Sequence, residues 1–139
     1  MICFAPLILA GYMLTFQPNP SHTSNVDGVS VEVQSCEVGL GAHGKAVSSG
    51  LLGAGLHWGW QVVQEGPWSL TVQPKAGLSY TTTPRRELPA TGQFELGLGV
   101  LVGYEDWRVG VEYWHLSNAG LAKPNIGLDM VGLTVGQRF

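Results

Sequence analysis

His115 and Ser117 stand two residues apart in the stretch Tyr113-Trp114-His115-Leu116-Ser117, and Asp129 follows on the closing segment that ends at Phe139. On a β-strand a spacing of two sends both side chains to the same face. An acid returning on the next strand can complete a set of nucleophile, base and orienting carboxylate, the parts needed for acyl transfer. Their strand neighbours at alternate positions, Val109, Val111, Val131, Leu133 and Val135, are apolar. Polar groups are expensive on such a face unless they are paired or do chemistry.

The elements that position these residues belong to a chain of 139 residues, enough for one domain and one core. Charged residues make up 12% and glycines number 20, with a net charge of −3. Soluble domains usually carry about twice that charged fraction, and a slightly acidic chain offers no electrostatic footprint for nucleic acid. Two cysteines, Cys3 and Cys36, do not make a disulfide scaffold. The histidines are scattered, with His22 in a polar stretch and His43 near an expected loop, so no metal site and no cofactor is indicated.

Met1 to Phe16 is almost wholly apolar and uncharged. It resembles the apolar part of a secretory signal, although no Lys or Arg precedes it and no A-x-A pattern follows. An apolar arm retained on the protein fits equally well. Gln17 to Gly28, with Pro18 and Pro20, has the composition of a linker. The expected organisation is therefore a leader and linker over residues 1–27 and a β domain over 28–139.

From Val29 onward the dominant period is two. Leu52-Ala54-Leu56-Trp58-Trp60-Val62 alternates with small or polar residues, as do Trp68 to Tyr80, Phe94 to Tyr104, Val109 to Tyr113 and Val131 to Val135. No helical period competes over such windows, which predicts an antiparallel all-β protein. A soluble barrel or sandwich would turn the apolar face inward, whereas a membrane barrel turns it toward lipid. The opposite face is rich in Gly with a few charges of both signs, Lys75, Glu95, Arg108, Glu112 and Arg138. That is too few charges for a soluble exterior and suits the narrow interior of a small membrane barrel.

Loop lengths give this barrel a direction. Short turns are expected at Glu65-Gly66-Pro67 and Glu105-Asp106, and longer connections at His43 to Gly50, Thr82 to Gly92 and Ala119 to Gly127. Bacterial outer-membrane barrels keep short turns on the periplasmic side and long loops outside. His115, Ser117 and Asp129 then lie near the outer leaflet, all with outward parity, where a lipid can reach them.

The run His115-Leu116-Ser117-Asn118-Ala119-Gly120-Leu121, with Lys123-Pro124-Asn125 and Gly127, resembles the signature of the lipid A 3-O-deacylase family. The resemblance is close from His115 to Asp129 and looser over the rest of the β domain. It implies a small up-and-down outer-membrane β-barrel of about eight strands. Six are clear in the sequence, counting one between Val29 and His43, where the apolar parity switches near Ser35. It further implies Ser117 as nucleophile, His115 as base and Asp129 as orienting acid, one methylene shorter than the glutamate of a known family member. Asn118, Gly120 and Asn125 would shape the site and its oxyanion stabilisation. The implied activity is removal of the 3-O-linked acyl chain of lipid A, so lipopolysaccharide and the outer membrane are the partners, without a cofactor. Two further classes fit the residues alone: a non-enzymatic structural barrel, and a soluble barrel holding an apolar ligand inside. Arg85 and Arg86, in an outer connection, are either lipid-phosphate contacts or solvated loop residues.

Overall fold

The computed structural model describes residues 5–16, 27–82, 92–117 and 127–139. They form eight antiparallel strands closed into a barrel in which every strand pairs with its sequence neighbours and β1 pairs with β8. The strands are β1 (Leu7–Phe16), β2 (Gly28–Gln34), β3 (Gly39–Val47), β4 (Leu51–Glu65), β5 (Trp68–Thr81), β6 (Gly92–Tyr104), β7 (Trp107–Ser117) and β8 (Leu128–Arg138). Most have the length a tilted strand needs to cross a bilayer; β7 and β8 have 11 residues each.

The alternation read from the sequence is the alternation of the wall. Leu56, Trp60, Leu78, Leu96, Val109 and Leu133 are all exposed. The facing positions turn inward and are buried although many are charged. The polarity of a soluble barrel is thus inverted, and an interior of this kind is what lipid outside and polar groups inside require. A soluble carrier with an apolar interior is ruled out by the same observation. Trp68, Tyr104 and Trp107 are exposed near the turn end, and Tyr80 and Phe94 toward the other end, as aromatic girdles at two interfaces would be.

The interior is a packed polar network. Lys45 and Lys75 each bridge Glu32 and Glu112. Arg108 Nε donates to Glu37 at 2.7 Å, and His43 pairs with Glu95 at 2.7 Å. Gln34 and Gln73 exchange amide hydrogen bonds at 2.9 Å between these pairs. Charges buried here are tolerated because each meets a partner. An apolar cluster of Met13, Val47, Leu51, Trp114, Leu116, Leu128 and Met130 fills the lumen at one end, and Leu7, Leu9 and Leu101 cluster elsewhere inside.

Three expectations need correction. The barrel begins before residue 28: Leu7–Phe16, expected within a leader, is β1 and hydrogen-bonds both β2 and β8. Its inward side chains Leu7, Leu9 and Met13 are as apolar as its outward ones, so no alternation betrayed it. The connection expected from His43 to Gly50 is a tight turn after Val47, because β3 runs through His43 and buries it against Glu95. The eight strands are the number the resemblance implied, six of them clear in the sequence. Arg138, expected inside, is partly exposed at the turn end and pairs with Asp106 at 3.2 Å.

Candidate active site on the lipid-facing wall

β7 and β8 pair so that His115 lies directly opposite Asp129. The side chains at 109, 111 and 113 on one strand, and at 131, 133 and 135 on the other, are exposed. His115 and Asp129 share that outward parity, and each side chain retains 33% of its accessible surface. Directly opposed residues bring Cβ atoms to about 5 Å. The short aspartate therefore reaches the ring, with His115 Nδ1 2.7 Å from Asp129 Oδ1. That distance is in the range of a charge-assisted hydrogen bond. An ionised carboxylate only accepts, so Nδ1 carries the hydrogen, and in the neutral ring Nε2 then keeps its lone pair.

The same oxygen has a second donor. Tyr113 is diagonal to Asp129 across the ladder, and its hydroxyl donates to Asp129 Oδ1 at 2.5 Å. Ser117 closes the row at the last position of β7, two residues beyond His115 and opposite Phe94 of β6. Tyr113, His115 and Ser117 thus occupy successive outward positions of one strand, with Asp129 beside the middle one. No hydrogen bond joins Ser117 to His115 among the described residues. Catalytic hydrogen bonds are commonly loose without substrate and tighten in the complex.

Gly127 frames the other side of the ring. Its φ of +76° favours glycine. A Cβ there would lie 3.2 Å from His115 Cε1 and 3.8 Å from Nε2. The residue thereby leaves the edge bearing the free nitrogen uncrowded. Behind the wall, Trp114, Leu116, Leu128 and Met130 interleave with the site residues and pack inside the barrel. Lys45 Nζ lies 4.8 Å from the centre of the Trp114 ring. The site is therefore carried on two strands anchored from within, which suits a constellation whose geometry must be held.

The tight turn after Val47 lies at the same end as Ser117 and Asp129, and two other short turns lie at the opposite end. The short turns after Glu65 and Tyr104 share an end with Leu7 and Arg138, which are paired. Ser117 and Asp129 flank the connection at the opposite end, as the loop lengths suggested. Asn118, Gly120, Asn125, Arg85 and Arg86 lie outside the described residues. Tyr113 and Gly127 are the site neighbours to which sequence reasoning gave no role. The signal for Tyr113 was its parity with His115; its partner could be known only from the register.

Residues 10–138 match the model of a family described as lipid A 3-O-deacylase (PagL). Over 63 residues the chain is 40% identical to lipid A deacylase PagL of Bordetella bronchiseptica, a match spanning 44% of this chain and 35% of that protein. About a third of that relative's length is thus covered. Among solved structures, that of the outer membrane enzyme PagL superposes with a TM-score of 0.70 at 17% identity, covering 94% of this chain and 98% of that one. Neisserial surface protein A follows with a TM-score of 0.56 at 11% identity, covering 96% and 94%. At these identities the structures show a common fold. The family match extends over nearly all of the barrel, including both strands that carry His115, Ser117 and Asp129, and the chain belongs to the lipid A 3-O-deacylase family.

Proposed function

We propose that the protein is a serine hydrolase of the bacterial outer membrane that removes the 3-O-linked acyl chain of lipid A in the outer leaflet. The observation that carries this reading is the 2.7 Å His115–Asp129 pair on the outward face, in line with Ser117, at the end away from the turns after Glu65 and Tyr104. Family membership supplies the substrate class, and the inverted polarity of the wall supplies the lipid.

In the proposed reaction Asp129 holds the imidazole with Nε2 free. Nε2 takes the Ser117 hydroxyl proton as Oγ attacks the ester carbonyl. The tetrahedral oxyanion is met by backbone N–H groups around Asn118 to Gly120 and by the side chains of Asn118 or Asn125. One such donor is typically worth about 3 kcal/mol in the transition state. Collapse breaks the carbonyl–alkoxy bond, and the departing lipid A hydroxyl recovers the proton from His115. Water, deprotonated in turn by His115, then cleaves the acyl-serine ester and releases the fatty acid.

The position of the site explains how a membrane lipid gains access. An ester of an outer-leaflet lipid sits just below the headgroups, and the wall presents the three side chains at that end without requiring entry into the filled lumen. Mass spectrometry of lipid A after incubation in detergent micelles tests the proposal. The wild type is expected to remove one hydroxyacyl chain and Ser117→Ala none. Unaltered lipid A with folded wild type would leave a structural barrel as the better account, and full activity in Ser117→Ala would exclude Ser117 as the nucleophile.

A further inference from the structure

We propose that Tyr113 is a positioning residue of this site, acting through Asp129 to hold His115 in its working orientation. The inference rests on the proposed hydrolase reading and adds a fourth residue to it. The terminal torsion of an aspartate is broad, and at the membrane surface an acid held by one partner can swing toward the water and headgroups above it. Tyr113 removes that freedom. Its hydroxyl reaches Asp129 Oδ1 at 2.5 Å, the oxygen that accepts from His115 Nδ1 at 2.7 Å. The two donors approach from positions 113 and 115 of one strand and converge on one atom of the next. The carboxylate is thereby fixed in both direction and distance.

Tyrosine suits the position for a second reason. The residue is 43% exposed on the lipid-facing wall, where an aromatic body is favoured, while its polar tip is satisfied by the acid. An interfacial anchor alone would not need its hydroxyl aimed along the strand at the acid.

The test is Tyr113→Phe, which keeps the ring and removes only the donor, measured in the wild-type and the Asp129→Ala backgrounds. Loss of a hydrogen bond to a charged acceptor is expected to lower kcat about tenfold, with KM unchanged. In the Asp129→Ala background the same substitution is expected to change kcat less than twofold, because the group through which Tyr113 acts is gone. A second readout does not depend on activity: water exchange of the His115 Nδ1 hydrogen, followed by NMR in micelles, is expected to quicken about tenfold in Tyr113→Phe. Equal losses in both backgrounds, or unchanged kcat and unchanged exchange, would overturn the role assigned to Tyr113. If the folded wild type proves inactive on lipid A, the hydrolase proposal fails by itself, and the exchange rate still decides whether Tyr113 orders the His115–Asp129 pair.

Discussion

Substituting Gly127 by alanine probes the geometry around His115 without touching any group that carries a proton. Two costs follow from the structure. The φ of +76° is one that L-residues adopt at a cost of about 1–2 kcal/mol. The added methyl would also lie 3.2 Å from His115 Cε1 and 3.2 Å from the carbonyl oxygen of Leu116. Carbon atoms rest at about 3.5–4.0 Å, so the imidazole has to retreat by several tenths of an ångström. A 1 Å misplacement can cost about a hundredfold in rate, so a shift of this size is expected to cost about tenfold in kcat. Gly66 provides the control. Its φ is +58°, and nothing lies within 4 Å of a Cβ built there. Gly66→Ala thus bears a comparable backbone penalty at the far end of the barrel without crowding the site. The assay is lipid A deacylation, normalised to the folded fraction from heat-modifiable migration. Gly127→Ala is expected to lose about tenfold in kcat per folded molecule, and Gly66→Ala to keep the wild-type value. Equal kcat values for the two variants would refute the claim that Gly127 guards the ring.

The interior and the wall make separate claims. Replacing Lys75 by Met leaves Lys45 alone between Glu32 and Glu112, and breaking a buried ion network in this way typically costs about 3–5 kcal/mol. The expected result is a markedly lower urea midpoint for the folded barrel in bilayers; an unchanged midpoint would contradict a lumen held by paired charges. Leu133→Arg places a charge on a residue 67% exposed at the middle of β8. In a bilayer it is expected to destabilise the barrel by roughly 2–4 kcal/mol, as arginine does on lipid-facing walls at mid-depth. A neutral effect on bilayer stability would be the signature of a surface that faces water.

Much of this molecule was legible because a β-wall writes its two environments into alternate residues. Runs such as Leu52 to Val62 and Phe94 to Tyr104 gave both the strand type and the outward face. The parity switch near Ser35 marks the turn between β2 and β3: Val29, Val31 and Val33 face out on one strand and Leu40, Ala42 and Ala46 on the next. β1 escaped because its inward residues plug the lumen with apolar atoms, so the alternation vanishes and the segment reads like a leader. The facing of His115, Ser117 and Asp129 followed from parity alone. That His115 and Asp129 stand directly opposite each other did not, since register depends on how the connection between β7 and β8 is spent. For the same reason the Tyr113–Asp129 bond and the crowding at Gly127 were invisible in the sequence. The charges Lys75, Glu95, Arg108 and Glu112 could be assigned to the interior, but their partners Glu32, Glu37, His43 and Lys45 come from the segment whose strands were least clear.

The central claim is that Ser117 is made nucleophilic by His115 on the outer wall. Its most direct measurement is peptide-mapped mass spectrometry of the intact barrel after exposure to a long-chain alkylphosphonate p-nitrophenyl ester, which traps an activated serine as a covalent adduct. The expected result is a single adduct on Ser117 in the wild type and none in His115→Ala. An adduct on another residue, or an unlabelled Ser117 in a preparation that deacylates lipid A, would contradict it.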